Sequence, residues 1–181
     1  MTNIDLVKIR EFADNAYKKA NCSYDGHSYI FHPDMVAVQC LKFGWVFRNK
    51  SDIDIIHGGA YTHDLIEDAK LTYNNILAVC GKDIADVTLA VTDVPAETRF
   101  LRHLLTMPKT VRDYRAIILK LSDISANTTH SYKSGSGMFN KYRKEYEYRR
   151  PIFREALNMY TEYLYMDEVD TIFKYLDSIN K

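Results

Sequence analysis

Apolar residues recur at spacings of three and four along most of the chain, and only seven glycines and four prolines interrupt it. That pattern predicts an all-α protein, since strands would alternate at two and need more turn residues. Ile4, Val7, Ile9, Phe12, Ala13 and Ala16 predict a first helix over about residues 4–20 with one inward face, followed by a polar loop from Asn21 to Gly26. The run HSYIFHPDMVAVQCLKFGWVF predicts a second helix, with Pro33 in the first turn, where its missing N–H costs nothing. A third is expected from a cap at Ser51 or Asp52 through DIDIIHGGAYTHDLIEDA. Gly58 and Gly59 weaken it by about 1 kcal/mol each relative to alanine, so close packing must compensate.

Thr72 is expected to cap a short helix with Ile76, Leu77 and Val79 inward and Gly81 at its end; Ile84, Val87, Leu89 and Val91 mark the next, closed by Pro95. A segment from Ala96 to Thr106 precedes an expected break at Pro108. TVRDYRAIILKLSDISANTTH then predicts the central helix, with Ile117, Ile118, Leu121 and Ile124 inward. Ser131 to Met138 reads as a mobile loop, Lys141 to Tyr165 as a long aromatic helix, and Asp167 to Ile179 as the last one.

A length of 181 residues suits one domain spanning 1–181, large enough to fold without metal or disulfide. Lys and Arg balance Asp and Glu at 24 each, which removes the basic footprint of a nucleic-acid binder. No apolar run approaches membrane-spanning length, and the start MTNIDLVKIREF lacks a secretory pattern. Cys22, Cys40 and Cys80 form no C-x-x-C pair and read as buried free thiols. A soluble, cytoplasmic protein is expected, with no nucleic-acid or membrane partner; oligomer formation is left open.

The sharpest chemical feature is HDLIEDA, residues 63–69. If helical, Asp64, Glu67 and Asp68 share one face and repel one another unless a cation sits among them. That cation is either a surface lysine or a divalent metal. His32, fixed beside Pro33, and Asp123, on the most apolar helix, favour the metal, because an unpaired buried carboxylate is costly. Two His and two Asp suit Mn²⁺, Fe²⁺ or Zn²⁺ better than Ca²⁺.

YIFHPDMVA, HDLIEDA and KLSDISANT, in that order, resemble the HD-domain metal-dependent phosphohydrolases, nearest to the RelA/SpoT-type hydrolases and their small stand-alone members. The resemblance spans roughly residues 5–165 and implies a helical HD-domain bundle. It implies that His32, His63, Asp64 and Asp123 hold one divalent metal, usually Mn²⁺, and that Glu67 and Asp68 position the attacking water. Asn127 matches the Asn four residues beyond the last metal-binding Asp, and Tyr146 in KYRKEYEYRR is the expected substrate-facing tyrosine. Lys141, Arg143 and Lys144 are expected to attract phosphates, against the alternative of a solvated face. Where the family commonly carries an Arg-Lys pair this chain has Ser23 and Tyr24, and Tyr24 is a candidate for base stacking.

The implied reaction removes the 3′-pyrophosphate of guanosine tetra- or pentaphosphate, or the 2′-phosphate of NADPH. Only hydrolysis is expected, as 181 residues leave no room for a synthetase domain. The alternatives are an HD nucleotidase or deoxynucleotide triphosphohydrolase, and a non-catalytic nucleotide-sensing module. His27 is a lesser cleft candidate, His57 reads as structural, and His103 and His130 have no partner that the sequence identifies.

Overall fold

Asp5 opens the first helix by accepting the Lys8 N–H, a local cap written in the sequence. The computed structural model describes residues 4–181. Helix α1 spans Leu6–Lys19 and buries Ile9, Ala13 and Tyr17; Val7, expected inward, is exposed. The following segment is a small hairpin rather than a plain loop. Strand β1 (Ser23–Tyr24) pairs antiparallel with β2 (His27–Ser28), Tyr24 opposite His27. Asp25 and Gly26 both take positive φ (48° and 79°), the two-residue Asp-Gly turn whose twist suits a hairpin.

Helix α2 (Phe31–Phe43) carries Pro33 in its first turn, and a 3-10 turn (Gly44–Val46) ends it. Helix α3 covers Ser51–Thr62. Neither Ser51 nor Asp52 caps it: the Asn49 side chain accepts the Ser51 N–H, while Asp52 is buried and accepts the Tyr114 hydroxyl at 2.9 Å. A Cβ on Gly58 would stand 2.5 Å from Ile84 Cδ1, and one on Gly59 would stand 2.9 Å from Leu119 Cδ2. The two glycines therefore let α3 approach its neighbours at backbone distance.

Helix α4 (Tyr73–Cys80) starts with a reciprocal box between Thr72 and Asn75 and ends at Gly81, whose φ is 83°. Ile76 is buried as expected, but Leu77 turns outward. Helix α5 spans Lys82–Val91, with Leu89 outward. Helix α6 (Arg99–Thr110) runs through Pro108 without breaking. Pro108 lies in the last turn, and the residue whose carbonyl loses a partner, Leu104, is on the exposed side.

Helix α7 (Tyr114–Lys133) is central, packing against α2, α3, α5, α6 and two later helices. Its Ile117, Ile118, Leu119 and Leu121 are fully buried. It extends to Lys133, and α8 starts at Met138, so the connection is shorter than the expected 131–138 loop. Helix α8 ends at Leu157 instead of running to Tyr165, continuing as a 3-10 turn over Asn158–Tyr160 before α9 (Met166–Ile179). Among the described residues the only strands are the hairpin pair, and the buried apolar side chains form one core.

Candidate active site

Three elements deliver the chemistry: the first turn of α2, the end of α3 with the turn after it, and the middle of α7. Helix α3 stops at Thr62, so residues 63–68 are consecutive turns and not the helix that the sequence predicts. The Asp68 N–H still donates to Asp64 O at 2.8 Å, which keeps Asp64, Glu67 and Asp68 on one side of the chain. All three carboxylates line a cavity of about 250 Å³.

At its floor His32 Nε2 and His63 Nε2 stand 3.1 Å apart. Asp123 Oδ1 is 3.3 Å from His32 Nε2 and 3.8 Å from His63 Nε2, and Asp64 Oδ2 is 3.1 Å from His63 Nε2. His63 Nδ1 lies 2.8 Å from Ala60 O and serves as its donor, so Nε2 is the nitrogen turned toward the other three side chains. His32 Nδ1 is buried with no hydrogen-bond partner, which leaves the ring held from its Nε2 side.

Three buried donors from distant stretches, His32, His63 and Asp123, lie within 4.8 Å of one another and fit a divalent metal, and Asp64 Oδ2 stands beside them, 3.1 Å from His63 Nε2. Electrostatics agree. Burial pushes the Asp64 carboxyl up, but His63 and His32 override it and hold it below the ordinary range. Burial likewise opposes ionisation of Asp123, and Lys120 and the two histidines outweigh it. Burial lowers the His63 imidazole, but Asp64 and Asp123 more than compensate, raising it to about 9. Two carboxylates held ionised beside two imidazoles suit a bound cation.

Other side chains fix these groups. Tyr29 donates to Asp64 Oδ2 at 2.8 Å and also to Asp68. Lys120 Nζ donates to Asp123 Oδ2 at 2.9 Å, and Asn127 Nδ2 donates to Asp123 Oδ1. Tyr24 donates to Asn127 Oδ1 at 2.8 Å and stacks on the His32 ring at 4.7 Å, so one of its faces is already covered. Glu67 Oε1 accepts the Asp93 N–H at 2.7 Å. Burial raises the carboxyl pKa of Glu67, and burial together with Asp64 raises that of Asp68.

The other wall is cationic and was not anticipated. Arg99, Arg102 and His103 from α6 and Tyr142, Glu145 and Arg149 from α8 line it. Glu145 is buried and takes both Arg99 Nε (2.6 Å) and Arg99 Nη2 (3.1 Å). His103 Nδ1 pairs with the Tyr148 hydroxyl; burial and then the Arg149, Lys120, Arg99 and Arg102 charges push its pKa down to about 2. The signal in the sequence was the i, i+3, i+4 spacing of Arg99, Arg102 and His103, which puts them on one helical face.

The expected phosphate contacts on α8 lie elsewhere. Tyr146 is buried and donates to Asp177 at 2.8 Å on α9, one turn away from Tyr142, which does line the cavity. Arg143 donates to Asn180 O, while Lys141 and Lys144 are exposed and none of the three lines the cavity. The inward stripe of α8 is 142, 145 and 149, so the lysines fall on the opposite side. His27 is exposed and stacks on Phe31, His57 packs beside Tyr61, and His130 pairs with Asp25 at 2.7 Å. Of the cysteines only Cys40 is fully buried.

A helical domain that gathers a His-Asp pair, an earlier histidine and a later aspartate into one buried cluster defines an HD-domain protein. Its relatives point to the RelA/SpoT branch, to whose members the chain is similar. It is 31% identical, over a 148-position alignment that covers 75% of this chain, to the bifunctional (p)ppGpp synthase/hydrolase SpoT of Escherichia coli K12. The same identity and coverage hold for a guanosine-3′,5′-bis(diphosphate) 3′-pyrophosphohydrolase of Shigella flexneri. The chain spans 18% of the length of these relatives. A metazoan SpoT ortholog described as hydrolysing ppGpp superimposes with a TM-score of 0.66 at 17% identity, covering 97% of this chain and 98% of the other. A Listeria monocytogenes EGD-e protein gives 0.56 at 21% identity, covering 83% and 96%. These two structures share the fold. No protein-family model matches the chain.

Proposed function

We propose that residues 1–181 form a single HD-type domain that hydrolyses a phosphorylated nucleotide in the cytoplasm, with the 3′-pyrophosphate of guanosine tetra- or pentaphosphate as the leading substrate. The observation that carries this reading is the convergence of His32, His63 and Asp123, with Asp64 against both histidines, in a cavity that also holds two raised carboxyls and several cations. The relatives named for the same reaction support the choice of substrate.

His32, His63, Asp64 and Asp123 would hold one divalent ion, taken here as Mn²⁺. When bound, such an ion lowers the pKa of water and polarises a phosphoryl oxygen. Glu67 and Asp68 orient the attacking water and take its proton, a role suited by carboxyls whose basicity burial increases. The water oxygen forms the new bond to phosphorus as the bond from phosphorus to the ribose 3′ oxygen breaks. The 3′ oxygen leaves with the proton that the carboxyl took from the water, and pyrophosphate is released. Arg102, Arg149 and Lys120 face the developing phosphoryl charge across the cavity. Asn127, held between Tyr24 and Asp123, keeps the hairpin against the reacting centre.

The test is a substrate panel on the purified chain with Mn²⁺ present and absent, using guanosine tetraphosphate, NADPH and dATP, with products identified. Pyrophosphate from the first substrate, abolished by EDTA and by His63→Ala, is expected. No product from guanosine tetraphosphate alongside turnover of NADPH or dATP overturns the substrate, and silence on all three overturns the enzyme reading.

A further inference from the structure

The two histidines of the cluster are aimed by different means. His63 Nδ1 is fixed by a backbone carbonyl, Ala60 O, at 2.8 Å. His32 Nδ1 is buried and has no hydrogen-bond partner among the described residues. An imidazole that ligates through one nitrogen is ordinarily oriented by a hydrogen bond made by the other. What lies against His32 instead is Tyr24: the ring centroids are 4.7 Å apart and the planes differ by 10°, an offset stack. The Tyr24 hydroxyl donates to Asn127 Oδ1 at 2.8 Å, and Asn127 Nδ2 donates to Asp123 Oδ1 at 2.5 Å. One side chain thus reaches the first and the last of the clustered donors.

The stack is itself held in place. Tyr24 sits on β1 beside the Asp25-Gly26 turn, and Asp25 pairs with His130 of α7 at 2.7 Å. The His130 and Phe31 rings pack 5.5 and 6.4 Å from that of Tyr24. We propose that Tyr24 is a positioning residue for the metal site: its ring orients His32 in place of the hydrogen bond that Nδ1 lacks, and its hydroxyl steadies Asp123 through Asn127. The ring thereby serves a ligand and not the nucleobase that its place in the sequence suggests. The proposal rests on the reading that His32 and Asp123 hold a divalent ion.

Mn²⁺ binding to the full chain and to Tyr24→Phe, Tyr24→Leu and His27→Ala is measured by calorimetry, and the Co²⁺-loaded proteins are compared by visible absorption, which reports ligand geometry. Tyr24 is half-buried on a two-residue strand, so leucine leaves the core intact, and the melting temperature of each metal-free protein checks folding. Tyr24→Phe keeps the stack and loses only the hydroxyl bond, so its dissociation constant is expected to rise about threefold with the Co²⁺ spectrum retained. Tyr24→Leu is expected to raise it about tenfold or more and to shift the Co²⁺ bands, with the metal-free melting temperature little changed. His27→Ala, exposed on the facing strand, is expected to change neither. A Tyr24→Leu protein within twofold of the unaltered chain, or a Tyr24→Phe protein as weak as Tyr24→Leu, overturns the proposal and leaves the metal site standing. An unaltered chain that binds neither ion overturns the metal site, and the proposal with it.

Discussion

The Tyr29 hydroxyl donates to Asp64 Oδ2 at 2.8 Å while also reaching Asp68, so one phenol ties a carboxylate proposed to hold the metal to one proposed to position water. The ring is itself fixed, packed 4.4 Å from the buried Tyr17. Hydrogen bonds that orient ligating groups typically account for 10–100-fold in metal affinity. Tyr29→Phe keeps the packing and removes both bonds. We expect its Mn²⁺ dissociation constant to rise by about tenfold or more, measured by calorimetry, with the melting temperature of the metal-free protein little changed.

Arg102 and Arg149 face the cavity from α6 and α8, whereas Lys141 and Lys144 face solvent. Arg102→Gln and Arg149→Gln should each reduce kcat/KM on guanosine tetraphosphate by about 10- to 100-fold, the loss of a charge-assisted hydrogen bond of roughly 1.5–3 kcal/mol. Lys141→Gln and Lys144→Gln should remain within twofold. Steady-state kinetics at saturating Mn²⁺ separates the two pairs.

His103 is buried among cations that lower its pKa to about 2, against about 6.5 in the unfolded chain. Below pH 6.5 the unfolded state takes up a proton that the folded state refuses. This contribution to stability is therefore complete above that pH and is progressively lost as pH falls toward 2. His103→Gln, which cannot titrate, should flatten the acid limb of a melting-temperature profile between pH 6.5 and 4. An unchanged slope would mean that His103 is not held neutral.

Gly59 has no room for a side chain: a Cβ would meet Leu119 at 2.9 Å and Val87 at 3.1 Å, both fully buried. Overpacking costs about 1–3 kcal/mol, and the helix preference for alanine returns about 1 kcal/mol. The net cost, up to about 2 kcal/mol, means that Gly59→Ala should not raise the melting temperature and should lower it by up to roughly 8 °C by scanning calorimetry.

Local chemistry was the most legible part of the sequence. The Thr72 cap, the Gly81 stop and the need for close packing at Gly58 and Gly59 depend on neighbouring residues, and the structure has all three. The Asp25-Gly26 hairpin is written just as locally, although the polar composition of residues 21–26 by itself predicts only a loop. Pro108 misled because a proline costs little in the final turn of a helix with an exposed side. The assignment of Tyr146 instead of Tyr142 to the cavity came from helix register, which Asp177 and the Arg99–Glu145 pair set from outside α8. The cationic wall was hidden for a similar reason: Arg99, Arg102 and Arg149 come from two helices, and neither alone distinguishes a cavity from a solvated face.

Asp123, Asn127 and His130 leave α7 on successive turns, reaching the metal cluster, Tyr24 and Asp25 in order. The helix thus works as a ruler. Adding one residue between Asp123 and Asn127 would rotate everything downstream by about 100° and detach the hairpin in a single step, whereas substitutions on β1 or α6 leave its graduations in place. Variation in this protein should accordingly accumulate by replacement around α7, and insertions or deletions within it should be the least tolerated change in the chain.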